Sequence, residues 1–349
     1  MNKIKAAIIG ATGYAGQELF RILYSHPYTE VVKVNSVSYT GENYSDIYKN
    51  LNGLTELKLT NDEIEKLADE VDVIFLALPH GIASKNVNKN VLNKCKIIDL
   101  GADFRLKDKN IYEKWYKVEH FGEDVLKEAV YGLCEIHSDE IKKARLVANP
   151  GCYTTCSILS LYPLVKENLI NTDTIVIDAK SGVTGAGRKP DIATSYCECN
   201  ESIKAYKIAS HRHTPEIEQE LSIAANKNIN LIFTPHLTPM NRGILATCYA
   251  KLNCECDYEK LKEAYLKYYK DKKFIRILNK GIFPETKNVK SSEYIDIGFT
   301  IDKRTGSVIV IGAIDNLFKG ASGQAVQNMN LMFGFEEDTA INLPPLYAV

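Results

Sequence analysis

Hydrophobic positions change their spacing along this chain in a regular order. At the start, "KIKAAIIG" is a short apolar run rich in Ile and Ala. It is followed by "ATGYAGQELFRILYSHP", in which Leu19, Phe20, Ile22 and Leu23 recur at helical spacing. The pair reads as strand, glycine turn and helix. "EVVKVNSVS" alternates as a second strand, "VDVIFLALP" is a buried strand and "CKIIDLGAD" another, with amphipathic segments between them. Repeated βα units of this kind predict an α/β fold with a Rossmann-type, doubly wound parallel sheet over residues 1–150.

Beyond Cys152 the texture changes. "TIVIDAKSGVTG", "NLIFTPHLTPMNRGILATCYAKL" and "VIVIGAIDNLF" are long β-rich stretches, separated by helical ones such as "CDYEKLKEAYLKYYKD". This predicts a second, α+β domain over 151–315 with a mixed sheet covered by helices. The last helical run, "GASGQAVQNMNLMFGF", carries Ala325, Met329 and Met332 on an apolar stripe. The segment 316–349 is expected to return to the first domain.

Composition narrows the function classes. A net charge of −1 with no block of like charge gives no electrostatic case for nucleic acid or an anionic membrane, which leaves a small molecule as the expected partner. The opening apolar run is broken by Gly10, Thr12 and Gly13 too early for an export signal, and a cytoplasmic location is expected. Nine cysteines, an odd number, then imply reduced thiols rather than a disulfide framework. Two Cys-x-Cys pairs, Cys197/Cys199 and Cys254/Cys256, would in principle make a four-thiolate zinc site. Structural zinc pairs are usually spaced by two or more residues, and no metal is expected.

"GATGYAG", from Gly10 to Gly16, lies between the first strand and the first helix. In that place the glycines let the backbone approach a pyrophosphate while the helix N-terminus stabilises its charge. Gly10, Thr12, Gly13, Tyr14, Ala15 and Gly16 are therefore candidate dinucleotide contacts; the alternative is a tight turn without a ligand. At the end of the second strand, "VNSVSYTG" offers the hydroxyls of Ser36 and Ser38 and no acid before Glu42, which favours NADP over NAD.

In "VANPGCYTTCSI", Pro150 and Gly151 reverse the chain and start a helix with Cys152 in its first turn. The free N–H groups there favour a thiolate, so Cys152 is a candidate nucleophile; the other possibility is a small buried capping residue. In "ASHRHTPEIEQEL", His211 and His213 are two apart and would share a face if extended, just before a helix begun at Pro215 and beside Arg212 and Glu216.

Taken with "FLALPHG", "DLGADFRL", "SGVTGAGRK", "FTPHLTPMNRGILAT" and "DNLFKGASGQAVQNMN", these motifs resemble the N-acetyl-gamma-glutamyl-phosphate reductase family over nearly the whole chain. The family sits in a superfamily with aspartate-semialdehyde dehydrogenase. The resemblance implies NADPH-dependent reduction of an acyl phosphate through a thioester on Cys152, with His213, or else His211, as the acid/base. It implies that Ser181, Gly182 and Asn316 line the nicotinamide. Arg105, Asn149, Arg188, Lys189, Arg212 and Glu216 would serve the substrate, Arg105 being the first choice for the leaving phosphate. A homodimer or homotetramer is implied too. Two positions depart from the family pattern: Cys134, where proline is usual, and Val37, where a basic or polar residue often stands.

Three other readings are compatible with parts of the sequence. Aspartate-semialdehyde dehydrogenase and aminoadipyl-phosphate reductase use the same chemistry on other side-chain lengths. A thiol acyltransferase or hydrolase would use Cys152 and a histidine without a nicotinamide, and leaves "GATGYAG" unexplained.

Overall fold

The computed structural model describes residues 3–347. It divides into two compact units: one runs to Pro150 and resumes over Ala321–Asn342, and the other comprises Gly151–Gly320 with the segment from Leu343. The chain thus crosses between units at Gly320 and Ala321, five residues later than the sequence places the change, and crosses again after Asn342.

The first unit holds seven strands: β1 (Ile4–Ile9), β2 (Thr29–Asn35), β3 (Leu59–Thr60), β4 (Val73–Leu76), β5 (Lys96–Asp99), β6 (Val130–Tyr131) and β7 (Leu146–Ala148). Their order is β3-β2-β1-β4-β5-β7-β6, and every neighbouring pair is parallel. The register aligns Ile9 with Asn35 and Leu76, Leu76 with Asp99, and Asp99 with Ala148. The carboxyl ends of the strands therefore form one edge, and Gly10, Leu100 and Asn149 are the first residues beyond it. Ligands of open parallel sheets bind beyond such an edge. All four residues of β4 are buried, as a strand covered on both faces must be.

The Gly323–Phe333 helix belongs to this unit and packs against the Tyr14–Tyr24 and Cys134–Ile141 helices. Ala325, Met329 and Met332 are buried, but so are its amides. Asn328 Nδ2 donates to Gly132 O (2.9 Å) and Asn149 Oδ1 (3.0 Å). Asn330 Oδ1 pairs with His26 Nε2 at 3.0 Å. The helix satisfies loop carbonyls as well as filling a core, which explains its unusual mixture of Gln, Asn and Met.

The second unit carries β8 (Ile170–Gly182), β9 (Lys204–Ala205), β10 (Ile232–Thr238), β11 (Ile244–Leu252), β12 (Ile275–Ile277), β13 (Ile295–Asp302) and β14 (Ser307–Ile314). Their order is β12-β13-β14-β11-β8-β10-β9, with β8/β10 and β12/β13 parallel and the other pairs antiparallel. Side chains of β11 alternate between buried and more exposed positions, the pattern of a sheet with one face on a core. The Cys152–Lys166 helix lies on β11 and β14, with the Thr214–Ala225 and Tyr258–Tyr269 helices packed against it. It is buried almost throughout.

Candidate active site

The glycine turn shows which of its residues the fold itself requires. Gly10 has φ +84°, and a Cβ there would lie 2.2 Å from Ala77 O; at Gly16 it would lie 2.4 Å from Gly10 O. Gly13 is different. It has an ordinary φ of −82°, and a Cβ would meet nothing nearer than Gly10 O at 3.5 Å. Packing does not explain this glycine. It leaves open the start of the Tyr14–Tyr24 helix, which has no side-chain cap and no acid in its first turn. Those features fit a pyrophosphate, whose charge the helix N-terminus favours and whose bulk a side chain would obstruct.

The turn is braced from outside. Tyr44 and Tyr48 donate their hydroxyls to Ala11 O (2.8 Å) and Thr12 O (3.0 Å). β2 stops at Asn35, and the hydroxyls of Thr12 and Ser36 pair at 2.8 Å. Ser36 is thus a buried brace for the turn, whereas Ser38 is exposed and presents its hydroxyl to solvent. Tyr14 is exposed and Ala15 half-buried at the helix start.

Two residues expected at the substrate are buried and bonded to the main chain around the "NPG" turn. Asn149 is fully buried: its N–H donates to Asp99 O (2.8 Å), its Nδ2 to Ala321 O (3.1 Å), and its Oδ1 accepts from Asn328. Arg105 is buried too, and donates from Nε to Asn149 O and from Nη2 to Leu100 O, both at 2.8 Å. Both residues hold the main chain that leads into "NPG".

Cys152 is the first residue of its helix, with Gly151 as N-cap, and is partly exposed. Cys95, Cys134, Cys156 and Cys248 are buried. Burial pushes the Cys95 thiol up to about 11 and that of Cys248 up to about 12, and raises Cys156 well above the usual range, so these three stay protonated. Gly320 comes so close that a Cβ on it would lie 2.7 Å from Cys152 Cβ.

Glu216, predicted at the substrate, is also fully buried. Its Oε1 accepts Gly151 N–H and Thr154 Oγ1, each at 2.9 Å. It is the cap of the thiol's own helix, supplied from a neighbouring helix.

His211 and His213 are brought together by a turn rather than by an extended strand: His213 has φ −80° and ψ −13° and caps the helix that starts at Thr214. Their ring centroids are 4.8 Å apart, and Tyr153, next to Cys152, packs edge-on against both. His213 N–H donates to His211 Nδ1 at 3.1 Å. Burial first, then His213, Lys207 and Arg212, push the pKa of His211 down to about 2. His211 is therefore held neutral, with its Nδ1 engaged by the His213 N–H. His213 and Arg212 are half-buried beside it.

Asn316 is buried, its Oδ1 accepting Gly243 N–H (2.7 Å) and its Nδ2 donating to Thr184 Oγ1 (3.0 Å). Its observed contacts brace the Ser181–Gly187 loop. Ser181 is buried and donates to Gly182 O (3.0 Å), while Arg188 and Lys189 are exposed beyond the loop. The sequence reading missed Arg242 and Asp315. Arg242 Nε lies 2.9 Å from Oδ2 of the fully buried Asp315, whose carboxylate also takes the N–H groups of Ser291, Leu317 and Phe318. An aspartate directly before Asn316, in "IDNLF", was the available signal.

Among the described residues no cluster of three or more His, Cys, Asp or Glu is placed to hold a metal, and no helix is long and apolar enough to cross a membrane.

Residues 5–144 match the model of the semialdehyde dehydrogenase NAD binding domain, and 152–316 that of the semialdehyde dehydrogenase dimerisation domain. Among curated relatives, the N-acetyl-gamma-glutamyl-phosphate reductase of Lachnospira eligens is 56% identical over 99% of both chains. One from Campylobacter jejuni is 56% identical over 97% of this chain and 98% of its own. Among solved structures, aspartate semialdehyde dehydrogenase II of Vibrio cholerae superposes with a TM-score of 0.73 at 15% identity, covering 96% of this chain and 99% of that one. The aspartate semialdehyde dehydrogenase of Candida albicans, solved with NADP, gives 0.69 at 16% identity, covering 95% and 99%.

Proposed function

The chain belongs to the N-acetyl-gamma-glutamyl-phosphate reductase family, and we propose that it reduces N-acetyl-L-glutamyl 5-phosphate to the 5-semialdehyde with NADPH, releasing phosphate, in arginine biosynthesis. The observation that carries this reading is Cys152, a partly exposed thiol at the first position of a capped helix. Beside it, two histidines differ in what they can do.

Cys152 Sγ attacks the acyl carbon, the carbon–oxygen bond to phosphate breaks, and a thioester remains on the protein. The Gly10–Gly16 turn and Ser38 would hold NADPH, which would supply the two electrons that reduce that thioester. His213 takes the thiol proton at the start, gives it to the oxygen as the thioester is reduced to a thiohemiacetal, and takes it back from that hydroxyl as the carbon–sulfur bond breaks, returning it to the departing Cys152 sulfur. His211, held neutral, fixes the His213 backbone and keeps a second positive charge out of the pair. Arg212 is the proposed partner of the substrate α-carboxylate, with Arg188 and Lys189 on the leaving phosphate.

Substrate choice follows from Glu216. An aspartyl substrate brings an ammonium that wants a carboxylate, and the acid that the sequence offers for it is buried under Gly151 and Thr154. The acetylated amide needs no such partner. The match of 152–316 to a dimerisation domain supports a homodimer or homotetramer, and under this reading the enzyme works in the cytoplasm.

The test is the reverse reaction with NADP and phosphate. N-acetylglutamate semialdehyde should be oxidised at least about tenfold more efficiently than aspartate semialdehyde, a difference of about 1.4 kcal/mol. Equal efficiencies overturn the substrate. Cys152→Ser should abolish turnover by orders of magnitude while keeping NADPH binding, and Cys156→Ser should stay active; a working Cys152→Ser enzyme overturns the mechanism.

A further inference from the structure

The second Cys-x-Cys pair has a geometry that the reductase reaction does not use. Residues two apart on an extended strand share a face but lie about 6.5–7 Å apart along it, so the thiols in "LNCECDY" would not meet if the chain stayed extended. Here the chain leaves β11 at Leu252 and bends at Asn253 and Cys254, and the two sulfurs come to 3.3 Å. Lys260 places its ammonium 3.4 Å from Cys254 Sγ.

The bend is fixed on both sides. Asn253 Nδ2 donates to Asn168 O (3.2 Å) and Ile170 O (2.9 Å). Asp257 caps the Tyr258–Tyr269 helix by accepting Lys260 N–H at 2.9 Å, which sets the residue that bears the ammonium. Cys254 and Lys260 are exposed and Cys256 is half-buried, so an oxidant reaches the pair from solvent. The other pair is a contrast. Cys197 and Cys199 sit on one short helical turn, and Cys199 Sγ is directed at the carbonyls of Thr194 (3.7 Å) and Tyr196 (3.8 Å).

We propose that Cys254 and Cys256 are a redox modification site, at which a hydroperoxide oxidises Cys254 and Cys256 closes the product to an intramolecular disulfide. Cys254 sulfur attacks one peroxide oxygen, the O–O bond breaks, and the departing hydroxide leaves as water with a proton from Cys256 or Lys260. Sulfur is oxidised by two electrons to a sulfenic acid and the peroxide is reduced. Cys256 sulfur then attacks Cys254 sulfur, the S–O bond breaks, and a second water leaves. Two thiols and one peroxide become one disulfide and two waters. The two thiols are unequal in the direction this needs. The hydrogen bond from Cys256 and then Lys260 pull the Cys254 thiol below its usual range, while burial and the Cys254 charge push Cys256 up to about 11.

The experiment treats the fully reduced full-length protein with hydrogen peroxide, blocks free thiols with an alkylating agent and analyses tryptic peptides. Both cysteines fall between Lys251 and Lys260, so closure appears as an unalkylated peptide about 2 Da lighter than its reduced form, reversible by dithiothreitol. With Cys256→Ser, a dimedone adduct should collect at Cys254; with Cys254→Ser, oxidation at Cys256 should be at least about tenfold slower. Lys260→Met should slow closure in the unmodified pair. Reductase activity of the unoxidised variants should match that of the parent. Equal oxidation rates in the two serine variants, no mass loss while Cys152 is oxidised, or equal closure at Cys197/Cys199 would each overturn the proposal.

Discussion

Glu216 Oε1 accepts the backbone N–H of Gly151 at 2.9 Å, so a carboxylate from one helix caps the helix that begins with the reactive thiol. The cap and the thiolate draw on the same helix N-terminus. Glu216→Gln keeps an acceptor and removes the charge, and Cys152 should then react with iodoacetamide about two- to fivefold faster at pH 6.5. Glu216→Ala leaves the Gly151 N–H and Thr154 hydroxyl without this acceptor and should cost about 1–3 kcal/mol in urea unfolding. Unchanged thiol reactivity in the Gln variant would show that the carboxylate charge is not felt at sulfur.

The two histidines should separate cleanly. His213→Gln should lower kcat by about 10²–10⁴ with little change in KM, as loss of a general acid/base does. His211→Asn retains an oxygen that accepts His213 N–H and should keep most of the activity, since His211 Nδ1 accepts that N–H and the ring is held neutral. Rates across pH for both variants check this. If the Asn variant is the dead one, His211 carries the proton after all.

The glycines make a second pair of opposites. Gly10→Ala meets Ala77 O at 2.2 Å from a positive φ and should destabilise the first unit strongly. Gly13→Ala meets only an ordinary 3.5 Å contact and should leave the melting temperature within a few degrees while weakening NADPH binding by about tenfold or more. Tight binding by a stable Gly13→Ala protein, read from fluorescence titration, would remove the pyrophosphate from this turn.

Asp99 and His211 should give stability opposite slopes with pH. Burial and then Asp103 push Asp99 up to about 7 from its ordinary 3.8, so the folded state holds the extra proton and stability is lost as pH rises from about 4 through 7. His211, ordinarily 6.5 and pushed down to about 2, favours folding above its unfolded value and loses stability as pH falls below about 6.5. Each proton contributes at most about 1.4 kcal/mol per pH unit. Asp99→Asn should therefore raise the melting temperature at pH 8 relative to the parent more than at pH 5; an equal change at both would mean that the carboxyl does not titrate there.

Much of this was legible in the sequence because it is local. The βα repetition, the glycine turn and the thiol at a helix start each depend on residues within a dozen positions, and the parallel sheet and Cys152 helix appear where the pattern puts them. What the sequence does not disclose lies where a side chain's partner is remote in sequence. Asn149 looked like a site residue because it precedes "PGC", yet its amide is bound to Asn328 from the far end of the chain. Glu216 and Arg105 were read by charge, and charge does not disclose that their partners are backbone groups. The His-x-His pair was placed together correctly but by the wrong geometry, because a period of two assumes a strand and the chain supplies a turn.

The return of the chain at Ala321 has a consequence for synthesis. A ribosome that has made everything up to Gly320 has supplied the whole second-unit sheet, β8 to β14, whereas the nucleotide-binding unit still lacks the helix that buries Ala325 and Met329 against its Tyr14–Tyr24 helix. The unit that begins first is thus completed after the sheet that follows it. Until the last turns of chain emerge, the apolar flank that this helix covers is open to solvent, and the nascent protein presents the surface that chaperones recognise. A polypeptide stopped after Gly320 should fold its mixed sheet, fail to bind NADPH and precipitate from its unfinished half.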